Sequence, residues 1–339
     1  MAKVLVLSAN DIAKVLTMSD ALAAVEEAYA QKARGRGLAW PMVYHAFKDG
    51  VADMDIRSGE LADSGLFGLK LTAWFSENPA RGLPEIYGTT LLCDDTTGAP
   101  LALANASAVT GLRTGAAGAL GIKWLARKDS SRLLVAGAGH QATYQVAAAL
   151  AARPGISHVE VWDPRRDQAP ARRVQRMAVE VGETLKAAGV ERDYELVAVA
   201  DGEAAVRAAD AIVTVTPATT PFIRAEWVQP GTHISAVGAD MEGKQEVESG
   251  VAAKALVFAD DRAQSVSAGE LELPHKDGLL AKEAITEIGE VIVGSKPGRT
   301  SDDQVTLFDT SGIAVQDLAA TKIAYERAVE AGVGTYVEL

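Results

Sequence analysis

The chain has 339 residues, 48% of them hydrophobic and 23% charged, with a formal net charge of -12, a profile that predicts two domains and a globular chain rather than a disordered one. The charge argues against nucleic acid and anionic membranes as partners, and the single cysteine, Cys93, excludes an intramolecular disulfide. No stretch approaches the ~20 apolar residues of a membrane span and the apolar run at 1–7 is too short for a secretion signal, so a cytoplasmic location is expected.

In chain order, Lys3–Leu7 predicts a strand and residues 18–34 an amphipathic helix. Met18, Leu22, Val25 and Tyr29 form its apolar stripe, with Thr17 or Ser19 as cap. From 41 to 105 short extended runs follow, among them Leu66–Phe75, 87–93 and 100–104, with a turn at 94–98; they predict an antiparallel sheet. Residues 106–125 read as a helix of small residues that permits close backbone packing. Apolar strands at 133–136, 159–162, 196–199, 211–216, 233–237 and 256–259 then alternate with helices. Such near-continuous Val, Ile, Leu and Ala runs suit strands buried on both faces, which predicts an α/β fold with a doubly wound parallel sheet of Rossmann type. A loop at 294–301 precedes a strand at 305–308 and a helix at 312–331 that is expected to return to the N-terminal domain.

The sharpest local signal is Gly137-Ala138-Gly139-His140-Gln141-Ala142 between an apolar strand and a helix, followed by a strand that ends in Asp163. Gly137 can take a tight turn, Gly139 lets the backbone approach a pyrophosphate, and Ala142 allows close helix–strand packing. The helix opening near Gly139 aims N–H groups at phosphate. Asp163 can accept hydrogen bonds from an adenosine ribose, and its charge favours NAD over NADP, although Arg165 and Arg166 just beyond it tolerate a 2′-phosphate. Cys93 reads as a buried, inert thiol. The five histidines, His45, His140, His158, His233 and His275, show no metal-ligand spacing, so no metal is expected.

Three charged residues sit in settings that call for a reason. Lys70 in Gly68-Leu69-Lys70-Leu71 and Arg113 in Gly111-Leu112-Arg113-Thr114-Gly115 lie among apolar or small residues, where a cation is expensive unless it meets an anion. They read either as a carboxylate clamp or as a strand-edge lysine and a surface arginine. Asp240 follows the strand at 233–237, at the end where ligands of open α/β sheets bind. It reads as an acid acting at a substrate nitrogen or as a helix N-cap.

The runs 111–117, 137–141, 236–240 with 243–246, and 305–309 resemble the ornithine cyclodeaminase/mu-crystallin family, in the family's order and over most of the chain. The resemblance implies a substrate-binding and dimerisation domain built from both chain ends, here 1–117 with 305–339, and a central NAD-binding domain, 118–304. It matches Lys70 and Arg113 to carboxylate-binding residues and Asp240 to the catalytic acid, so that Asp240, Lys70 and Arg113 form the catalytic set. Arg113, Thr114, Gly137, Ala138, Gly139, His140, Gln141, Asp163, Thr216, Val237, Gly238 and Lys244 match cofactor contacts, and Thr310 with Ser311 a substrate-side turn.

Two departures bear on the substrate. Ornithine cyclodeaminase carries an arginine after a proline in the Pro41 region, where this chain has Pro41-Met42-Val43-Tyr44-His45; His45, Lys48 or Arg57 are the candidate substitutes. Where that enzyme places a glutamate for the distal amine, this chain has Ile56 and Arg57, with Glu60 nearby. A cation cannot hold an ammonium group, so a substrate with an uncharged or anionic side chain is expected. The resemblance thus implies a homodimeric NAD(H)-dependent reductase of a small α-imino acid, or the reverse oxidative deamination. An ornithine-type cyclodeaminase and a non-catalytic mu-crystallin-like binder are the alternatives.

Overall fold

A computed structural model describes residues 3–165 and 171–339. In chain order the elements are β1 (Lys3–Leu7), α1 (Ala9–Val15), α2 (Met18–Ala33), β2 (Gly37–Ala39), β3 (Val43–Lys48), β4 (Ala52–Leu61), β5 (Leu66–Phe75), β6 (Ile86–Asp94), β7 (Pro100–Asn105) and α3 (Ala106–Leu125). Next come β8 (Arg132–Ala136), α4 (His140–Ala152), β9 (His158–Trp162), α5 (Ala171–Ala187), β10 (Glu195–Ala198), α6 (Gly202–Ala208), β11 (Ala211–Thr214) and β12 (His233–Ala236). The remainder is α7 (Ser249–Ala252), β13 (Leu256–Ala259), α8 (Arg262–Ala268), α9 (Glu272–Lys276), β14 (Thr286–Glu287), α10 (Ile288–Ile292), β15 (Thr306–Asp309), α11 (Ala314–Ala331) and β16 (Thr335–Glu338). The chain divides into two compact units, Met1–Arg113 with Ile313–Leu339, and Thr114–Gly312.

In the first unit the strands run β16-β1-β7-β6-β5-β4-β2, with β3 also on β4. Pairing from β3 to β7 is antiparallel, while β1 joins β7 in parallel, so the sheet is mixed. Helix α2 starts at a reciprocal cap between Thr17 and Asp20, and α1 at the equivalent pair of Ser8 and Asp11. The short α1 was not expected from the sequence. It buries only Ile12 and Val15, too few apolar repeats to reveal a period, and Ser8-x-x-Asp11 was its one legible signal. Helix α11 packs on β4, β5, β6 and α2, closing a core that includes Leu5, Leu7, Ile12, Ala320 and Ala324.

In the second unit every strand pairing is parallel, in the order β10-β9-β8-β11-β12-β15-β13-β14. The first five follow the order of a dinucleotide-binding fold. Here the expected domain boundary at 304/305 is corrected. Strand β15 pairs with β12 on one side and β13 on the other, and all four of its residues are buried, so residues up to Gly312 belong with the nucleotide-type sheet. A four-residue apolar strand carries no mark of which sheet it joins, and its neighbour in sequence, α11, misdirected the assignment. At the other boundary the division falls after Arg113 rather than after residue 117. Helix α3 uses its small residues as anticipated: a Cβ on Gly121 would lie 2.5 Å from Ser235 Oγ and 2.6 Å from the Phe308 ring. Among the described residues no helix is long and apolar enough to cross a membrane.

Candidate functional site

The turn after β8 has the geometry a dinucleotide requires. Gly137 sits at φ +130°, its N–H donates to Trp162 O at 2.7 Å, and a Cβ there would lie 2.7 Å from Val215 O, so only glycine fits. Gly139 is the N-cap of α4, no side chain caps it, and a Cβ on it would meet nothing within 4 Å. An uncapped helix N-terminus facing open space suits phosphate. Thr114 Oγ1 and Gln141 Oε1 are buried side-chain atoms of this unit with no protein hydrogen-bond partner, as expected of groups that meet a ligand. His140 is exposed and stacks edge-on against Tyr144. Asp163, 2% exposed, closes β9 and accepts from the backbone N–H and Nε of Arg165, both at 3.2 Å. Arg166 lies outside the described residues.

A residue that sequence reasoning missed braces this turn. Arg173 of α5 donates through Nε to Ala138 O (3.1 Å) and through Nη2 to Gly139 O (2.9 Å) and Thr143 Oγ1 (2.8 Å). Glu180 holds its Nη1 at 2.9 Å. The guanidinium therefore satisfies two carbonyls of the glycine turn and puts a positive charge beside it. In sequence Arg173 was one of several arginines on an amphipathic helix.

The cations gather in the first unit. The sheet register sets Arg57 of β4, Lys70 of β5 and Thr90 of β6 in one row, hence on one face. Lys70 is 4% exposed, Arg57 9% and Arg113 6%, so neither the strand-edge nor the surface reading survives: β5 lies between β4 and β6. The residue that joins them, Asp317 of α11, was also missed. Its Oδ2 lies 3.0 Å from Lys70 Nζ and its Oδ1 2.9 Å from Arg113 Nε. Gln316 Oε1 receives Arg113 Nη1 at 2.8 Å, and Gln316 Nε2 donates to Tyr29 Oη at 2.7 Å. Arg57 Nε pairs with Asp55 at 3.2 Å. Lys70 and Arg113 share the single carboxylate of Asp317, which leaves that buried trio one positive charge in excess. Burial first, then the charge of Arg113, lowers the Lys70 pKa to about 8. Burial opposes ionisation of Asp317, but Arg113 and then Lys70 outweigh it and hold the acid below its ordinary range.

The same register corrects two expectations. Glu60 pairs with Leu38 and Phe67, and Ile56 with Val43 and Leu71. Both side chains therefore project from the face opposite Lys70, because neighbours along a strand alternate. Of the three candidate substitutes, His45 pairs with Met54 and Lys48 with Ala52, again opposite; Arg57 alone shares the Lys70 face.

Past β12, Val237 and Gly238 continue from the strand tip, and Asp240, its side chain 45% exposed, meets Lys244 Nζ at 2.6 Å. No helix starts at Asp240, since the next is α7, so the N-cap reading is dropped. Thr216, at 3% exposure, lies past the end of β11, two residues short of where the sequence placed that end. Thr310 and Ser311, 3% exposed each, follow β15. Thr310 Oγ1 donates to Asp260 and Gln264 Nε2 donates to Ser311 Oγ, both at 3.0 Å.

The profile of the ornithine cyclodeaminase/mu-crystallin family matches residues 2–332. The alanine dehydrogenase of Archaeoglobus fulgidus is 36% identical over 335 residues, 98% of each chain. Two solved structures superpose over nearly the whole chain. One is an archaeal alanine dehydrogenase dimer with bound NAD (TM-score 0.86, 35% identity, 99% of both chains). The other is the iminosuccinate reductase of Paracoccus denitrificans in complex with NAD+ (TM-score 0.87, 33% identity, 99% of this chain and 100% of that one).

Proposed function

This chain belongs to the ornithine cyclodeaminase/mu-crystallin family, and on that premise we propose that it is an NAD(H)-dependent reductase of a small α-imino acid, or a dehydrogenase of the matching amino acid. The observation that carries the reading is the buried trio of Lys70, Arg113 and Asp317, in which two cations share one carboxylate. A surplus cation in a buried setting is stabilised by an anion, and a substrate carboxylate supplies it. Lys70 and Arg113 hold that carboxylate, with Arg113 already oriented by Asp317 and Gln316. Arg57 favours an uncharged or anionic side chain.

NADH, when bound, supplies hydride to the α-carbon. Asp240 serves the nitrogen: the C=N bond takes hydride at carbon and a proton at nitrogen, giving the amine, and in the reverse direction the acid takes the proton back. The glycine turn, Thr114, Gln141, Thr216, Val237, Gly238 and Lys244 are the proposed cofactor contacts, with Thr310 and Ser311 on the substrate side. Asp163 favours NAD over NADP, since its carboxylate opposes a 2′-phosphate.

A homodimer is part of the proposal. On the sheet face opposite Lys70, Leu38, Val43, Leu71, Tyr87 and Leu103 are 39–52% exposed. An apolar face of that extent suits a second copy of the chain, and the archaeal alanine dehydrogenase is a dimer. The cyclodeaminase alternative loses its candidate amine holder, because Glu60 is on the wrong face.

The test is NADH consumption with ammonia plus pyruvate, oxaloacetate or glyoxylate, and with pyrroline-2-carboxylate. Turnover of at least one is expected. Ornithine giving proline without net NADH change would instead establish a cyclodeaminase, and NADH binding without any turnover a binder.

A further inference from the structure

Thr216 and Gly238 follow β11 and β12, and one buried side chain ties the two strand ends together. Glu246, 0% exposed, accepts at Oε1 from the Thr216 N–H (2.6 Å) and hydroxyl (2.8 Å). At Oε2 it accepts from the Thr214 hydroxyl (2.7 Å) and the Gly238 N–H (2.8 Å). Four donors converging on two oxygens call for a carboxylate, since an amide accepts at one end only. Gly238 can come this close because a Cβ there would lie 2.6 Å from the Glu246 carboxyl. Glu246 is itself anchored: Glu270 accepts its backbone N–H at 3.0 Å and that of Val247 at 2.6 Å.

We propose that Glu246 is a positioning residue of the nicotinamide pocket, its ionised carboxylate cross-linking the ends of β11 and β12 so that Thr216 and Gly238 present a fixed backbone to the cofactor. The inference rests on the reading of those two residues as cofactor contacts.

Three further acids crowd this carboxylate or its neighbours: Glu270 between α8 and α9, Asp309 at the end of β15, and Asp260 after β13. Burial, then the charge of Glu246, pushes Glu270 well above the ordinary carboxylate range. Burial, then Asp260, does the same to Asp309. Both acids hold their protons more tightly than an ordinary carboxyl, and the negative charge is best satisfied where the four donors are, on Glu246. Burial nevertheless raises Glu246 to about 7. A proton arriving there turns one oxygen into a hydroxyl, a weaker acceptor for the Thr216 or Gly238 N–H that it faces, and so loosens that strand end. NADH affinity therefore falls as pH is lowered through about 7 and recovers as it is raised.

The experiment is NADH binding and steady-state kinetics from about pH 6 to about pH 8 on wild type, Glu246→Gln, Thr214→Val and Thr214→Ser. In Glu246→Gln an NH2 faces donors, and the Kd and KM for NADH rise about tenfold. The KM for the imino acid stays unchanged, and the pH dependence of NADH binding disappears. Thr214→Val loses one donor and gives a smaller rise; Thr214→Ser restores it. A folded Glu246→Gln that binds NADH as wild type does, with the same pH dependence, overturns the inference. Should that variant not fold, equal NADH affinity for Thr214→Val, Thr214→Ser and wild type overturns it. Wild type that binds no NADH at all removes the cofactor reading itself, whereas wild type that binds it beside a silent variant removes the positioning role alone.

Discussion

Each unit buries a cluster of ionisable side chains, and the two handle the cost of desolvation in opposite ways. In the first unit Lys70, Arg113 and Arg57 alternate with Asp317 and Asp55, so each charge has a partner of opposite sign within about hydrogen-bond reach. In the second, Glu246, Glu270 and Asp309 are all acids, and burial with mutual repulsion raises the proton affinity of Glu270 and Asp309 well above that of an ordinary carboxyl. A mixed cluster with a surplus charge is prepared for an ionic ligand. A like-charged one is prepared to titrate, and its effect reaches a ligand only through the backbone it holds.

The comparison can be broken most sharply at Lys70. Lys70→Met removes one of the two proposed carboxylate holders and leaves Asp317 with less counter-charge; kcat/KM for the imino acid falls about a hundredfold to a thousandfold, while NADH binding, measured by fluorescence titration, is retained. Asp317 comes next. Asp317→Ala leaves two buried cations without their shared anion and costs about 3–5 kcal/mol of stability, read in a denaturant melt. The milder Asp317→Asn is read by pH. Lys70 is charged below about 8 and neutral above it, so wild-type kcat/KM declines as pH rises through about 8. Without the Asp317 charge that raises it, Lys70 ionises less readily and the decline moves to lower pH.

Arg57→Glu sharpens the substrate side. Turnover of a dicarboxylic imine falls about tenfold relative to that of an alkyl imine, and equal losses for the two would remove Arg57 as a side-chain discriminator. The smallest effect is expected at Arg173→Ala, which frees the Ala138 and Gly139 carbonyls. NADH Kd rises about fivefold to tenfold with the imino-acid KM unmoved; an unchanged NADH Kd would mean the brace is dispensable.

Much of the architecture was legible because it is written in short-range pattern. The alternation of apolar strands and helices from 132 onward, the Gly137–Gly139 turn and the Thr17 cap are local, and they fold where the pattern puts them. Lys70 and Arg113 stood out as cations in apolar settings, and both are buried. The partners were not legible. Asp317 lies 247 residues beyond Lys70, at 317 against 70, on a helix whose acids look alike in sequence. Arg173 was one arginine among several, and Glu246 belonged to a recognised run without a physical role.

The sequence by itself determined the secondary-structure periods, the glycine turn and the residue types that can bind phosphate, carboxylate and imine nitrogen, because these depend on backbone sterics and side-chain chemistry within a few residues. Only the tertiary structure decided that β15 enters the parallel sheet between β12 and β13. It likewise decided that Arg57, and not Glu60, shares the Lys70 face, and that Asp317 and Glu246 each gather groups from separate elements. Strand pairing and burial bring together residues that no local pattern links, and a charge acquires its partner and its pKa only once water has been removed from around it.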